Sequence, residues 1–151
     1  MRVVADTDIL STFARIRRLD ILNELFDEVI VPPSVRSELA KGMIDTRSLK
    51  KTLAKLAKEE IKALKAVDVR LGRGEKECFV IAKNRGIPLA TNDRIACLLC
   101  KREDIGFFTL PRILRLAVLE RVVTREEARQ LVKLIEQEER TVIKDRDGIF
   151  G

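Results

Sequence analysis

Four carboxylates, Asp6, Glu38, Glu75 and Asp93, hold the positions from which this 151-residue chain could do chemistry. Asp6 directly follows the apolar run Val3-Val4-Ala5. Glu38 lies about one turn into the segment after Val29-Ile30-Val31. Glu75 follows the turn Leu71-Gly72-Arg73-Gly74, and Asp93 comes just after Ile87–Ala90. Each acid has an ordinary explanation. A carboxylate at a helix start complements the helix dipole by about 0.3–1 kcal/mol, Asp6 could close a turn, and Glu38 could be a capping or solvated residue. Those reasons do not account for four acids falling at one sheet edge. Two unit charges 4 Å apart repel by about 4 kcal/mol at an effective dielectric near 20, so such a cluster must bind protons or cations. Oxygen ligands without imidazole suit Mg²⁺ or Mn²⁺. One or two such ions can activate a water and offset charge on the leaving oxygen of a phosphodiester.

Composition removes the rival chemistries. The chain has no His, Trp or Tyr, which excludes imidazole acid–base catalysis, Ser-His-Asp triads and His-ligated zinc. Three cysteines, Cys78, Cys97 and Cys100, are an odd number and argue against a disulfide framework. Cys97-x-x-Cys100 could suggest zinc or redox chemistry, but it sits in Ile95-Ala96-Cys97-Leu98-Leu99-Cys100, which reads as a buried helix face. Gly72-x-Gly74 hints at a dinucleotide loop, yet Glu77 stands where the third Gly belongs. The net charge of +6 favours polyanionic partners. No apolar run approaches the roughly 18–20 residues that cross a bilayer, and the N-terminal residues lack a secretory hydrophobic stretch. A soluble cytoplasmic protein without membrane association is expected.

The elements that must position the acids alternate. Strands are expected over Arg2–Ala5, Glu28–Val31, Ile87–Ala90 and Ile105–Phe108. Two short helices follow the first strand, the second capped by Asp20, and Ser34–Lys41 is a helix closed by Gly42. Thr46 to Ala66 reads as a long amphipathic helix or helix pair with Leu49, Leu53, Leu56, Ile61 and Leu64 inward. Helices also span Glu75–Lys83 and Asn92–Lys101. Thr109 caps one through Leu119, and Thr124-Arg125-Glu126-Glu127 is a capping box for a last one. The tail from Thr141 is loose or used in contacts. Short continuous strands alternating with helices predict a single α/β domain over 1–151, a three-layer sandwich on a parallel sheet of four to five strands. Ligands of such sheets bind beyond the carboxyl ends of the strands.

These residues carry a family resemblance. Val3-Val4-Ala5-Asp6-Thr7-Asp8-Ile9-Leu10 resembles the opening motif of PIN-domain nucleases, and Val31-Pro32-Pro33-Ser34-Val35-Arg36-Ser37-Glu38-Leu39 their second. Gly72-Arg73-Gly74-Glu75 before an apolar helix resembles the third, and Leu89-Ala90-Thr91-Asn92-Asp93-Arg94 the fourth, in the same order over roughly residues 2–120. The resemblance implies a Mg²⁺- or Mn²⁺-dependent endoribonuclease acting on RNA. Asp6, Glu75 and Asp93 would hold the metal, with Glu38 as a fourth catalytic acid and Asp8 and Thr91 in support. Glu77 competes with Glu75 for the third position. Many small single-domain members are toxins of the VapC type, homodimers held inactive by an antitoxin protein, and these partners are implied here as well. A non-catalytic PIN-like module that binds RNA or assembles with other proteins is the alternative.

One further feature bears on substrate. Between Thr46 and Ala66 seven basic residues (Arg47, Lys50, Lys51, Lys55, Lys58, Lys62, Lys65) face two acids, Glu59 and Glu60. The run is either the solvated face of a helix or a phosphate-tracking wall beside the acids.

Overall fold

The computed structural model describes residues 1–144 and 146–150. In chain order the elements are β1 (Arg2–Ala5), α1 (Thr7–Arg15), α2 (Leu19–Leu25), β2 (Glu28–Val31), α3 (Pro33–Lys41) and β3 (Lys51–Leu53). There follow α4 (Lys58–Ala63), which runs into a 3₁₀ turn at Leu64–Ala66, then α5 (Arg73–Arg85), β4 (Leu89–Ala90) and α6 (Arg94–Arg102). The last elements are β5 (Phe107–Phe108), α7 (Leu110–Leu119), α8 (Arg125–Glu139) and α9 (Arg146–Phe150).

All five strands are parallel, in the order β3-β2-β1-β4-β5. Val3, Val4 and Ala5 of β1 and Val29, Ile30 and Val31 of β2 are all buried, as strands covered on both faces require. Helices α1, α2, α7 and α8 pack together on one side, with α2 against β2 and α7 against β5. On the other side α5 lies against β1 and β4 and touches α4 and α6. Helix α3 bridges the two sets at the carboxyl edge, touching both α1 and α5. The chain leaves β1 toward β2 on one side and arrives at β4 on the other, so the switch point lies between β1 and β4. That crevice, beyond the carboxyl ends, is where sheets of this kind bind ligands.

Local chemistry sets the helix starts. Pro33 opens α3, where a missing N–H is harmless. The side chains of Asp6, Asp93 and Thr109 cap α1, α6 and α7, and Thr124 with Glu127 forms the capping box of α8. Asp20 does not cap α2. Arg18 is the cap residue, and Asp20 lies in the first turn, bonded to the Arg18 guanidinium at 3.0 and 3.2 Å.

The segment 46–66 departs from the expected long helix. Lys51–Leu53 is a fifth strand pairing with β2 (Val29↔Lys51, Val31↔Leu53), and only Lys58–Ala63 is α-helical. Leu49 and Leu64 are buried as expected, but Leu53 is 43% and Ile61 51% exposed. A Leu49/Leu53 spacing of four residues fits a helix and a strand equally, and the long-range pairing with β2 decides. A three-residue edge strand that opens on Lys is a poor template for further pairing. The C-terminal segment is used in contacts: α9 packs on α7, with Ile143 and Ile149 buried. Asp145 and Gly151 of that tail lie outside the described residues. Among the described residues no helix is long and apolar enough to cross a membrane.

Candidate functional site

Asp6 directly follows β1 and is only 4% exposed. Its Oδ1 accepts the Ile9 N–H at 3.0 Å, and its Oδ2 accepts the Thr91 hydroxyl at 2.5 Å. The Thr91 Oγ1 in turn accepts the Asp93 N–H at 3.1 Å. One buried hydroxyl at the end of β4 thus ties together the acids that follow β1 and β4. Burial, partly offset by the Thr91 and Ile9 hydrogen bonds, lifts the Asp6 carboxyl to about 6, and the charges of Asp8 and Asp93 add to the rise.

Glu75 comes to the same place from the first turn of α5. Burial lifts its carboxyl to about 7. The charge of Asp93 and a hydrogen bond shared with it come next, then the charges of Asp6 and Asp8. The Glu75 Oε2 is out of solvent and has no hydrogen-bond partner. Glu38, from α3, is held by the Thr7 hydroxyl at 2.8 Å. Asp6, Thr7, Asp8, Glu38 and Glu75 line a cavity of about 30 Å³, enough for one or two water-sized guests. The structure therefore brings Asp6, Glu38 and Glu75 to one cavity on the carboxyl edge, with Asp8 exposed at its rim, Thr91 beneath it and Asp93 close enough for its charge to act on Asp6 and Glu75.

The donor set suits a hard divalent cation. An orphaned buried carboxylate oxygen costs roughly 1–3 kcal/mol, and a cation beside it would remove that cost. Among the described residues no group of three or more His, Cys, Asp or Glu side chains is arranged to ligate one ion outright. An ion that keeps several waters and takes only one or two carboxylates, as Mg²⁺ does, fits this geometry better than one needing a closed protein cage.

Glu77 is excluded from the cluster by its partners. Its carboxylate accepts the Ser34 N–H at 2.8 Å, the Ser34 hydroxyl at 2.7 Å and the Arg73 Nε–H at 2.8 Å. It closes the N-terminus of α3, where a negative charge is favoured. Glu77→Ala is expected to lower unfolding free energy by about 3 kcal/mol in denaturant titration while leaving any metal-dependent stabilisation in place. An unchanged denaturation midpoint with the metal response lost would give Glu77 the role assigned here to Glu75.

Two contributors were not singled out as site residues from sequence. Thr7, hidden in the Asp6-Thr7-Asp8 run, steers Glu38. Gly74 makes room for it: a Cβ there would fall 2.3 Å from Glu38 Oε1. A Gly inside the first turn of a helix was the available signal, and its reason is close packing rather than phosphate cradling. The cysteines are free. Cys78 and Cys100 are buried and Cys97 is half-buried, in keeping with small apolar packing. The part of the basic run that lies on α4, Lys58 and Lys62, is not beside the acids. Helix α4 docks through Glu60 onto Arg85 at the far end of α5 (2.9 Å), ten residues or about 15 Å from Glu75.

A family model described as PIN domain matches residues 2–146. Among solved structures, a PilT N-terminus domain protein from the hyperthermophilic archaeon Sulfolobus solfataricus P2 aligns with a TM-score of 0.53. The alignment covers 75% of this chain and 90% of that one at 16% identity, a likeness of fold. No curated protein matches the chain.

Proposed function

The chain belongs to the PIN-domain family, and from that premise we propose that it is a divalent-cation-dependent endoribonuclease that hydrolyses RNA phosphodiester bonds. The observation that carries this reading is the buried, unpartnered Oε2 of Glu75, beside a small cavity that Asp6 and Glu38 also line. An inert structural carboxylate would be satisfied as Glu77 is; this one lacks a counter-charge.

Asp6, Glu75 and Asp93 would hold Mg²⁺ or Mn²⁺, one or two of them directly and the rest through its bound waters, with Glu38 reaching it directly or through water. A bound divalent cation supplies positive charge to the phosphodiester and lowers the pKa of an attacking water. The remaining work belongs to side chains. Thr91 fixes the Asp6 oxygen that accepts its hydroxyl and, through the Asp93 N–H, the loop that carries Asp93. Thr7 keeps Glu38 turned toward the cavity. Glu75 releases its shared proton as the site fills, since its high pKa reflects burial and neighbouring negative charge.

The test is a digest of end-labelled RNA, and of matched DNA, with Mg²⁺, with Mn²⁺ and with EDTA. Internal cleavage of RNA that EDTA abolishes is expected. Binding without chelator-sensitive cleavage under either ion would favour the non-catalytic module instead.

A further inference from the structure

The acid cavity is too small for a nucleotide, but it shares Thr7, Asp8 and Glu38 with a groove of about 770 Å³, so the one opens into the other. One wall of the groove is α1. The others are the chain just after α3, at Gly42 and Ile44, and the end of α8, at Glu138 and Glu139. Four acids line it, and Arg15 is the only basic side chain among its lining residues. A polyanion entering this groove meets repulsion everywhere except at the cation site and at Arg15. The Arg15 side chain is half exposed, and its ion pair to Glu139 is long at 3.9 Å, which leaves guanidinium donors free for a phosphate. Beyond Arg15 the chain of α1 and the chain after α3 also line a second hollow of about 730 Å³, where Arg17 follows α1 and Arg47 follows Ile44 and Asp45. Arg17 sits at φ 57 in the turn that ends α1. The Arg47 side chain is 90% exposed; Asp45 takes its Nε at 3.0 Å and one terminal nitrogen at 2.8 Å, which leaves the second terminal nitrogen for a phosphate.

Resting on the ribonuclease reading above, we propose that the RNA strand leaves the acid pocket along α1, with Arg15 holding a phosphate in the groove and Arg17 and Arg47 the phosphates beyond it. From Asp8 to Arg15 is seven helical residues, about 10 Å, the length of about three stacked nucleotides. These three arginines are positioning residues: they hold the strand in register with the pocket and take no part in bond cleavage. The α4 lysines, Lys58 and Lys62, lie off this path.

The experiment is a salt titration of binding to a fluorescent single-stranded RNA oligonucleotide, followed by steady-state cleavage. It compares the wild type, Arg15→Gln, the double variant Arg17→Gln/Arg47→Gln, and the α4 control Lys58→Gln/Lys62→Gln. Each lost phosphate contact should flatten the log–log salt slope by about 0.7. The expected losses are therefore about 0.7 for Arg15→Gln and about 1.4 for the double variant, with none for the control. In cleavage, KM should rise while kcat stays constant. Slopes equal to wild type in both arginine variants, or a loss confined to the α4 control, would overturn the path. If neither ion supports cleavage, the ribonuclease reading fails by itself, and the binding slopes still decide whether these arginines hold the strand.

Discussion

Asp6→Asn is expected to reduce RNA cleavage by more than about 100-fold and, at pH 8, to make the metal-free protein more stable. Even groups behind a metal ligand change affinity or activity by about 10–100-fold when removed, so a first contact should exceed that. The stability gain follows from burial. The Asp6 carboxyl, raised from 3.8 to about 6 by desolvation, is disfavoured in its charged form inside the fold, and at about 1.4 kcal/mol per pH unit the difference amounts to about 3 kcal/mol. Asn removes the charge while its side-chain oxygen can still accept from Ile9 N–H. Thermal melts and a single-turnover digest check both halves. An Asp6→Asn protein that cuts at wild-type rate would remove Asp6 from the reaction, and one that is less stable at pH 8 would refute the desolvation argument.

Glu75→Gln separates proton from metal at the same pocket. Asp6 and Glu75 bind protons more tightly folded than unfolded, with ordinary values of 3.8 and 4.5 raised to about 6 and about 7. Their contribution is therefore fully favourable below about pH 4 and is lost as pH rises through 6 and then 7. The metal-free wild type should lose stability across that window, and Glu75→Gln should flatten its upper part, near pH 7. A divalent cation competes for the same oxygens, so Mg²⁺ should stabilise the wild type little at pH 5 and most above pH 7. At a concentration 100 times its dissociation constant the gain is about 2.7 kcal/mol. The variant should lose most of that gain and fall in cleavage rate together with it. Melts in Mg²⁺ and in EDTA at pH 5, 7 and 8.5 are decisive, because a magnesium shift that ignores pH, or that survives Glu75→Gln, contradicts the assignment.

Most of the frame was legible one residue at a time because it rests on local rules. The ends of β1 and β2, Pro33 at the start of α3, the caps at Thr109 and Thr124 and the parallel α/β class all follow from strand burial and from unpaired N–H groups that need acceptors. So does the approach of Asp6, Glu75 and Asp93, since each follows a strand or begins a helix at the carboxyl edge, while Glu38 reaches them from about one turn inside α3.

Three matters depended on contacts distant in sequence. Lys51–Leu53 became a strand because β2 offered an open edge, which no local periodicity reveals. Glu75 and Glu77 are two residues apart and chemically alike. Only the nearness of Ser34, 43 residues upstream of Glu77, makes one a satisfied helix cap, while Gly74 lets Glu38 settle beside the other. The lysine-rich run drew attention by its density, yet the Glu60–Arg85 pair anchors α4 at the wrong end of α5 and the groove is left to Arg15. Charge and hydrogen bonding act through space, so a residue's type is written locally, whereas its partners, and with them its pKa and its use, come from the packed fold.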